Sequence, residues 1–429
     1  MKIKSITLQN YKRFVEKQTI NFHHNDQIND ITLLIGKNGT GKSTILQAIV
    51  CVVASAALVN TRPSNIDYPG FVFKHIHSGN QPARITVELT FSEAELEATY
   101  TFAQQLLAMG DAFKHIEIPN REQTISLKLM QLYDRIETTP IGSLSQTKGY
   151  EYATILSQFV PDPRLLFEQV GTIYWYSEQR TSYSLSQKEQ IGQTNIENLR
   201  KLLVQLSNFN VAVQSKNITL SEGQQNFYEK LEQNYRIMFP GHRFVGAVPN
   251  FNNPYAPAEF FLSDGTNHYE IEEISAGERA VFPLLLDFSL NNINNSIIVI
   301  DESELHLHPS LHAHFLNILP QLGKNNQFFI ATHSPQMLAA SNANVIWLQD
   351  NGVITEGIYT QGRDINSILR EYFDYKNSNL AVNVLLSEIN NHINNYDVEK
   401  AQQTLDKLAT IWGEQDLEVQ RFQTYIDML

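Results

Sequence analysis

The nine residues GKNGTGKST have the types and spacing of a phosphate-binding loop. Three glycines let the backbone curl so that its N–H groups point inward, and the following helix adds the partial positive charge of its N-terminus. Lys42 would reach the β- and γ-phosphates of a nucleoside triphosphate, and Ser43 would coordinate Mg²⁺. The residues expected to bind the triphosphate are Gly36, Lys37, Asn38, Gly39, Thr40, Gly41, Lys42, Ser43 and Thr44.

Two acids follow the apolar run SIIVI. A buried strand there would deliver Asp301 to the carboxyl edge of a sheet, where it can hold Mg²⁺ through water. Glu302 then stands where an attacking water needs a base or an orienting acceptor. Many strands end in acids, so this pattern alone is weak evidence for a functional site. Together with the phosphate loop it is strong evidence.

Another apolar run, FFIA, ends in the polar triplet THS. A single histidine after a strand is usually structural. The strand should neighbour that of Asp301, however, so we expect His333 to contact the γ-phosphate.

The stretch ISAGERA is a turn of small residues between a charged strand and an apolar helix. Small residues allow a backbone to approach a phosphate closely, and the helix would direct its dipole at the anion. A plain strand-to-helix turn with Ser275 as N-cap is also compatible with these residues.

The apolar pattern supplies the elements that must position these residues. ITLLIG precedes the phosphate loop, SIIVID and QFFIAT precede the acids and the histidine, and TIYWY is a further buried strand. ARITVELTF and QTISLKLMQL alternate, which predicts antiparallel strands on the edge of a sheet. AEFFLSDGTNHYEIEE predicts a hairpin that turns near Asp264. Helices are predicted from about Ser182 to Met238 and from about Gly362 onward.

Composition limits the class of protein. Of 429 residues, 42% are hydrophobic and 18% charged, which is typical of a globular chain. The net charge of −13 argues against a broad basic surface for nucleic acid, although a local basic groove is compatible with it.

The single cysteine, Cys51, indicates a reducing compartment. The N-terminus lacks a signal-peptide pattern, and the longest apolar stretch falls short of the ~20 residues that span a bilayer. We expect a cytoplasmic protein without a membrane segment.

Taken in order, the phosphate loop, ISAGERA, IIVIDE and ATHSP resemble the ATP-binding-cassette ATPases, over roughly residues 1–365. The branch most similar is that of the chromosome-maintenance and recombination ATPases and the related OLD-type and anti-phage ATPases. The resemblance implies ATP and Mg²⁺ as ligands. It also implies an α/β P-loop NTPase head with a mixed β-sheet core, an antiparallel β-subdomain, a helical insertion and a helical C-terminal tail.

The resemblance also assigns roles to single residues. ISAGERA corresponds to the signature loop, in which Ser275 and the backbone of Gly277 would bind the γ-phosphate held by a second subunit. Gln179 resembles the Q-loop glutamine that couples Mg²⁺ to the rest of the domain, although Glu178 and Arg180 compete for that role. SELHLHP, residues 303–309, corresponds to the D-loop. Arg13 matches a basic residue that these ATPases place near the nucleotide; a solvated charge at a strand end is the alternative.

The expected division is an N-terminal half of the head at 1–181, a helical insertion at 182–240, a C-terminal half at 241–365 and a helical tail at 366–429. The insertion shows no sustained heptad pattern, so no long coiled-coil arm is expected. The tail is too short and too helical for the Toprim nuclease domain of OLD-type proteins. It is either a docking or oligomerisation element or a packing cap.

These expectations favour an ATPase that acts as a homodimer, or a higher even-numbered homo-oligomer, with composite sites. It resembles the ATPase subunit of Septu-type anti-phage systems, which implies control of a separate nuclease effector; an HNH-type nuclease is a candidate. The alternative is a stand-alone DNA-repair or recombination ATPase, which would bind DNA directly. In the two-component system, the partner could make the contact with nucleic acid instead.

Overall fold

The structure is a computed structural model of the chain. It describes residues 1–24, 27–57, 66, 68, 81–132, 135–138, 145–160, 163–176, 182–184, 196–220, 226–250, 253, 255–291, 293–302, 304, 307–340, 342–350, 352–374 and 380–428. The chain divides into two compact units, Met1–Ile368 and Leu369–Leu429.

The described strands are β1 (Lys2–Gln9), β2 (Gln18–Asn21), β3 (His23–His24), β4 (Gln27–Ile28), β5 (Ile31–Ile35), β6 (Ala83–Thr90), β7 (Thr124–Leu132), β8 (Arg135–Thr138), β9 (Ile173–Tyr176), β10 (Ser182–Ser184), β11 (Arg243–Val248), β12 (Glu259–Ser263), β13 (His268–Glu270), β14 (Ile297–Ile300), β15 (Gln327–Ala331), β16 (Asn344–Leu348) and β17 (Ile354–Ile358).

The described α-helices are α1 (Lys42–Ala57), α2 (Glu93–Ala108), α3 (Gly149–Leu156), α4 (Arg164–Phe167), α5 (Ile196–Gln214), α6 (Phe227–Met238), α7 (Ala276–Leu290), α8 (Pro309–Leu322), α9 (Pro335–Ala340), α10 (Ile365–Tyr372), α11 (Leu380–Asn394), α12 (Val398–Trp412) and α13 (Leu417–Asp427).

The sheet that positions the candidate site runs in the order β10-β9-β14-β15-β5-β16-β17 among the described residues. Its five inner strands are parallel, and β10 and β17 pair antiparallel at its two edges. Every residue of β9, β14 and β15 is buried, as expected for parallel strands that are covered on both faces. Because β14, β15 and β5 are neighbours, the residues that follow them meet at one edge.

A second sheet, β2-β1-β6-β7-β8, is antiparallel throughout. It shares one hydrophobic core with α1 and the parallel sheet. The predicted strands ARITVELTF and QTISLKLMQL are β6 and β7, but both lie inside this separate sheet and not on a sheet edge. Alternation reveals that a strand has one buried face; it does not reveal which strands lie on either side.

Between β10 and β14, the chain forms α5, α6 and a three-stranded sheet, β11-β12-β13. The predicted hairpin turns at Asp264–Gly265, where φ of Gly265 is +93°. Helix was expected from Ser182, but Ser182–Ser184 is the edge strand β10. Three residues are too few for a helical period to be distinguished from an alternating one.

In the second unit, α11, α12 and α13 pack around one apolar cluster that includes Ile389, Leu405, Leu408 and Phe422. The predicted pair of terminal helices is therefore confirmed as α12 and α13, with α11 as a third member. Asp397 and Asp416 cap the starts of α12 and α13 by accepting backbone N–H groups.

Within the described part of the chain, no helix combines the length and the apolar character that crossing a bilayer requires.

Candidate functional site

The phosphate loop joins β5 to α1, and its glycines have backbone angles that favour glycine. The angle φ is +141° at Gly36, +78° at Gly39 and +106° at Gly41, a region that L side chains rarely adopt. Space is also restricted, since a Cβ on Gly36 would lie 2.3 Å from the carbonyl oxygen of Leu348. The loop geometry therefore depends on these glycines.

Lys42 is the buried cation of this loop. Its Nζ donates hydrogen bonds to the carbonyl oxygens of Gly36 at 2.9 Å and Lys37 at 3.0 Å. Burial lowers the pKa of Lys42 to about 8, against the opposing effect of Asp301, Glu304 and Glu302. A bound phosphate would place negative charge beside Lys42 and favour its protonated form, which burial disfavours.

The other loop residues surround this cation. Thr40 is buried, and its hydroxyl donates to the carbonyl oxygen of Lys37 at 2.9 Å. The Lys37 side chain contacts Asp350 at 2.8 Å. Asn38 is exposed and Thr44 is half-buried at the start of α1.

Ser43 and Asp301 form an oxygen pair beside the loop. The Ser43 hydroxyl donates to Oδ1 of Asp301 at 3.2 Å, and the hydroxyl of Tyr68 donates to Oδ2 at 3.2 Å. In the described residues, no group of three or more His, Cys, Asp or Glu could hold a metal. Mg²⁺ in phosphate sites, however, needs only one or two protein oxygens, completed by phosphate and water. The pair Ser43–Asp301 fits that requirement.

Glu302 follows Asp301 with an uncommon backbone conformation, because its φ is +49°. Only a few per cent of non-glycine residues adopt positive φ, and such residues cluster at functional sites. This turn sets the direction in which the half-buried Glu302 leaves the strand.

Glu304 is a site residue that the sequence interpretation missed. Its carboxylate accepts a hydrogen bond from the Thr332 hydroxyl at 2.8 Å and another from the backbone N–H of His333. It therefore ties the segment after β14 to the segment after β15. Its position two residues after Glu302 was visible, but a third acid in a polar loop has no distinctive signal.

His333 lies at the same sheet edge and is half-buried. Burial lowers the pKa of its imidazole, the positive charge of Lys42 lowers it further, and Glu304 opposes both. A neutral imidazole can donate to a phosphate oxygen from one nitrogen. The structure thus brings Lys42, Asp301 and His333 to one edge from β5, β14 and β15.

The signature turn is the start of α7, and Ser275 is its N-cap. The Ser275 hydroxyl accepts from the backbone N–H of Glu278 at 3.1 Å, and the Glu278 carboxylate accepts from the backbone N–H of Ser275 at 3.0 Å. This reciprocal pair is a capping box. Ser275 is exposed, whereas Gly277 is buried.

Arg13 lies against the phosphate loop. The tight turn between β1 and β2 contains two residues with positive φ, Asn10 at 52° and Lys12 at 50°. A Cβ on Gly41 would come within 2.8 Å of the Arg13 side chain. The exposed guanidinium donates to the carbonyl oxygen of Asp350 at 3.4 Å. Gln179, with its competitors, and Ser303 in the D-loop segment lie outside the described residues.

Residues 1–338 match the family described as AAA ATPase domain. The chain belongs to this family. The match covers the phosphate loop, the signature turn and the two strand ends that carry Asp301 and His333. The chain is therefore an ATP hydrolase with a P-loop α/β head, and the predicted fold class and ATPase class are confirmed. The more specific likeness to Septu subunits stays a prediction.

Two relatives are similar over most of the chain. "Retron Ec83 probable ATPase" of Escherichia coli is 24% identical over 404 residues, covering 82% of this chain and 72% of the relative. "Retron Vc95 probable ATPase" of Vibrio cholerae serotype O1 biovar El Tor is 22% identical over 406 residues, covering 81% and 73%.

Among solved structures, the chain is similar to the SmcHead bound to the C-winged helix domain of ScpA. The identity is 17%, and the likeness covers 83% of this chain and 97% of that one. Its TM-score is 0.44.

Proposed function

We propose that this chain is the ATP-hydrolysing regulatory subunit of a two-component anti-phage defence system and that it controls a separate nuclease. The relatives named as retron ATPases, which match about four-fifths of the chain, support the defence role. A separate nuclease, of which the HNH type is one candidate, is a suitable effector because hydrolysis of ATP by this chain would act as its switch and leave cleavage to the partner.

We further propose that ATP is hydrolysed between two copies of the chain. The observation that carries this proposal is the difference between the start of α1, at the phosphate loop, and the start of α7, at the signature turn. Lys42, Ser43, Asp301 and His333 gather at one sheet edge, whereas the exposed Ser275 makes its described hydrogen bonds within the first turn of α7. An exposed helix start with small residues can approach a phosphate that another copy holds.

In this scheme each group has one task. Lys42 and the loop N–H groups neutralise the β- and γ-phosphates, and Ser43 with Asp301 would hold Mg²⁺. Mg²⁺, when bound, supplies positive charge to the phosphate oxygens. Glu302 accepts a hydrogen bond from the attacking water and orients it, and His333 donates to the γ-phosphate. Arg13 and Gln179 are proposed to act at the rim of this site.

Glu302→Gln tests the proposal. Glutamine keeps the shape but loses the basic oxygen, so we expect turnover to fall by about 100-fold or more while ATP is still bound. The bound ATP should then hold two copies together, which light scattering would report as a doubling of mass on addition of ATP and Mg²⁺. Glu122→Gln, an exposed glutamate before β7, is the control. Wild-type turnover, or a mass that ATP leaves unchanged, would contradict the proposal.

The domain roles are part of the same proposal. Residues 1–181 and 241–365 act as the two halves of the ATPase head, 182–240 as an insertion and 366–429 as a docking or oligomerisation element. The alternative, a stand-alone DNA-repair or recombination ATPase, predicts that DNA alone stimulates hydrolysis by this chain. The net charge of −13 counts against that outcome.

A further inference from the structure

A single buried carboxylate joins the signature turn to α6 and β13, which precede it in the chain. Glu278 is 5% exposed. Its Oε2 accepts the backbone N–H of Ser275 at 3.0 Å, which completes the capping box of α7. Its Oε1 is directed away from the turn and is engaged by a different part of the chain.

Two tyrosine hydroxyls donate to that second oxygen. Tyr235, on α6, donates to Oε1 of Glu278, and Tyr269, on β13, donates to the same oxygen at 2.9 Å. His242, between α6 and β11, places Nδ1 3.0 Å from the Tyr269 hydroxyl and 3.3 Å from Oε1. The insertion helix α6 and the strand β13 of the C-terminal half thus converge on one atom of the signature helix.

Packing makes this connection stiff. The ring of Tyr235 is fully buried and stacks on Phe282 of α7, with centroids 5.4 Å apart and planes at 28°. Burial raises the pKa of both Tyr235 and Tyr269, so both hydroxyls stay protonated and remain donors. Burial also disfavours the charge of Glu278, but the hydrogen bonds from Tyr235 and Ser275 outweigh it and lower its pKa.

We propose that Tyr235 and Tyr269 are positioning residues for ATP hydrolysis: through Glu278 they fix the orientation in which the signature turn presents Ser275 to the other copy. This inference rests on the proposed role of the turn in trans. A shift of α6 or of β13 would move one carboxylate oxygen, and the other oxygen would carry that shift to the backbone of Ser275. α6 and β13 thereby control how readily two copies close around ATP.

The test uses Tyr235→Phe, Tyr269→Phe and the double variant. The matched control is Tyr152→Phe, which removes another buried hydroxyl, one that donates to the carbonyl oxygen of Glu117 at 2.9 Å. ATP affinity is measured with the chains separated by dilution, and turnover is measured as a function of protein concentration. Tyr269 is half-buried, so its variant keeps the test available if Tyr235→Phe does not fold.

We expect the double variant to need about tenfold more protein for half-maximal turnover, since hydrogen bonds to a charged group are being lost. Turnover should recover at high protein concentration, and ATP affinity should match that of Tyr152→Phe. A further variant, Ser275→Arg, places a long side chain on the signature turn and should block turnover if the turn contacts a phosphate. A shift no larger than that of the control, together with blocked turnover by Ser275→Arg, would overturn this inference alone. Normal turnover by Ser275→Arg would overturn the role of the turn in trans, and this inference with it.

Discussion

The phosphate loop and the signature turn are both loops that start a helix, but they are built in different ways. The phosphate loop takes its shape from glycines with positive φ and holds a buried lysine. The signature turn takes its shape from the reciprocal hydrogen bonds between Ser275 and Glu278. The first contains a buried cation that can neutralise a phosphate, and the second contains a buried carboxylate that caps its own helix.

The two loops also differ in the charge of the side chain that each buries. Lys42 brings a positive charge to its loop, whereas the side chain buried under the signature turn is the carboxylate of Glu278. The turn can attract phosphate through its N–H groups, its dipole, the Ser275 hydroxyl and the exposed Arg279, and each of these contributes little at an exposed site. We infer that the turn contributes to a phosphate already held elsewhere and does not bind ATP by itself. Substitutions in the phosphate loop and in the signature turn should therefore have different effects on ATP binding and on turnover.

Lys42→Ala should have the largest effect. Removing the buried cation leaves the phosphates without their charged partner, so we expect ATP affinity to fall by about 100-fold or more. Equilibrium titration with a fluorescent ATP analogue would measure it. Lys407→Ala, an exposed lysine on α12, should leave the affinity unchanged. An unchanged affinity for Lys42→Ala would refute the phosphate-loop assignment.

Substitution of Ser275 should separate binding from turnover. Ser275→Arg should leave ATP affinity within about twofold and reduce turnover by about 100-fold, because a long side chain keeps the turn from reaching a phosphate. Loss of the helix cap is a competing explanation, so Ser275→Asp is the matched variant. Aspartate keeps the cap but repels phosphate. Normal turnover by Ser275→Asp would contradict a phosphate contact at this turn.

The pH dependence of ATP binding should be smaller but diagnostic. The pKa of Lys42 is about 8 in the free protein, and bound phosphate favours its charged form. Below pH 8 the charge is already present, so affinity should be flat; above it, binding must take up a proton. Affinity should then weaken by up to about tenfold per pH unit. Calorimetry in buffers of different ionisation enthalpy would detect the proton uptake. An affinity that is constant from pH 7 to 10 would contradict this assignment.

The sequence predicted the elements with strong local patterns. The strands that became β5, β14 and β15 are continuous apolar runs, and α1 follows glycines that mark its start. β11 (RFVGAV) and β17 (ITEGI) were missed because polar and apolar residue types do not alternate clearly in their sequences, although the burial of β11 does alternate over its first four residues. Positive φ at Glu302 also has no local signal, since glutamate does not favour it.

Long-range side-chain contacts were the least predictable part of the site. Glu304 reaches Thr332 across 28 residues, and Tyr235 reaches Glu278 across 43. Neither contact follows from the periodicity of the helix or strand that carries it, because periodicity identifies a buried face and not its partner. Gln179 lies outside the described residues and stays a prediction.

The most direct test of shared sites is to mix two inactive variants, Lys42→Ala and Ser275→Arg. Each alone should fail to hydrolyse ATP, but a mixed dimer joins the intact phosphate loop of one copy to the intact signature turn of the other. With random pairing at equal amounts, the mixture should regain about a quarter of wild-type turnover. A mixture as inactive as its two components would contradict hydrolysis between two copies.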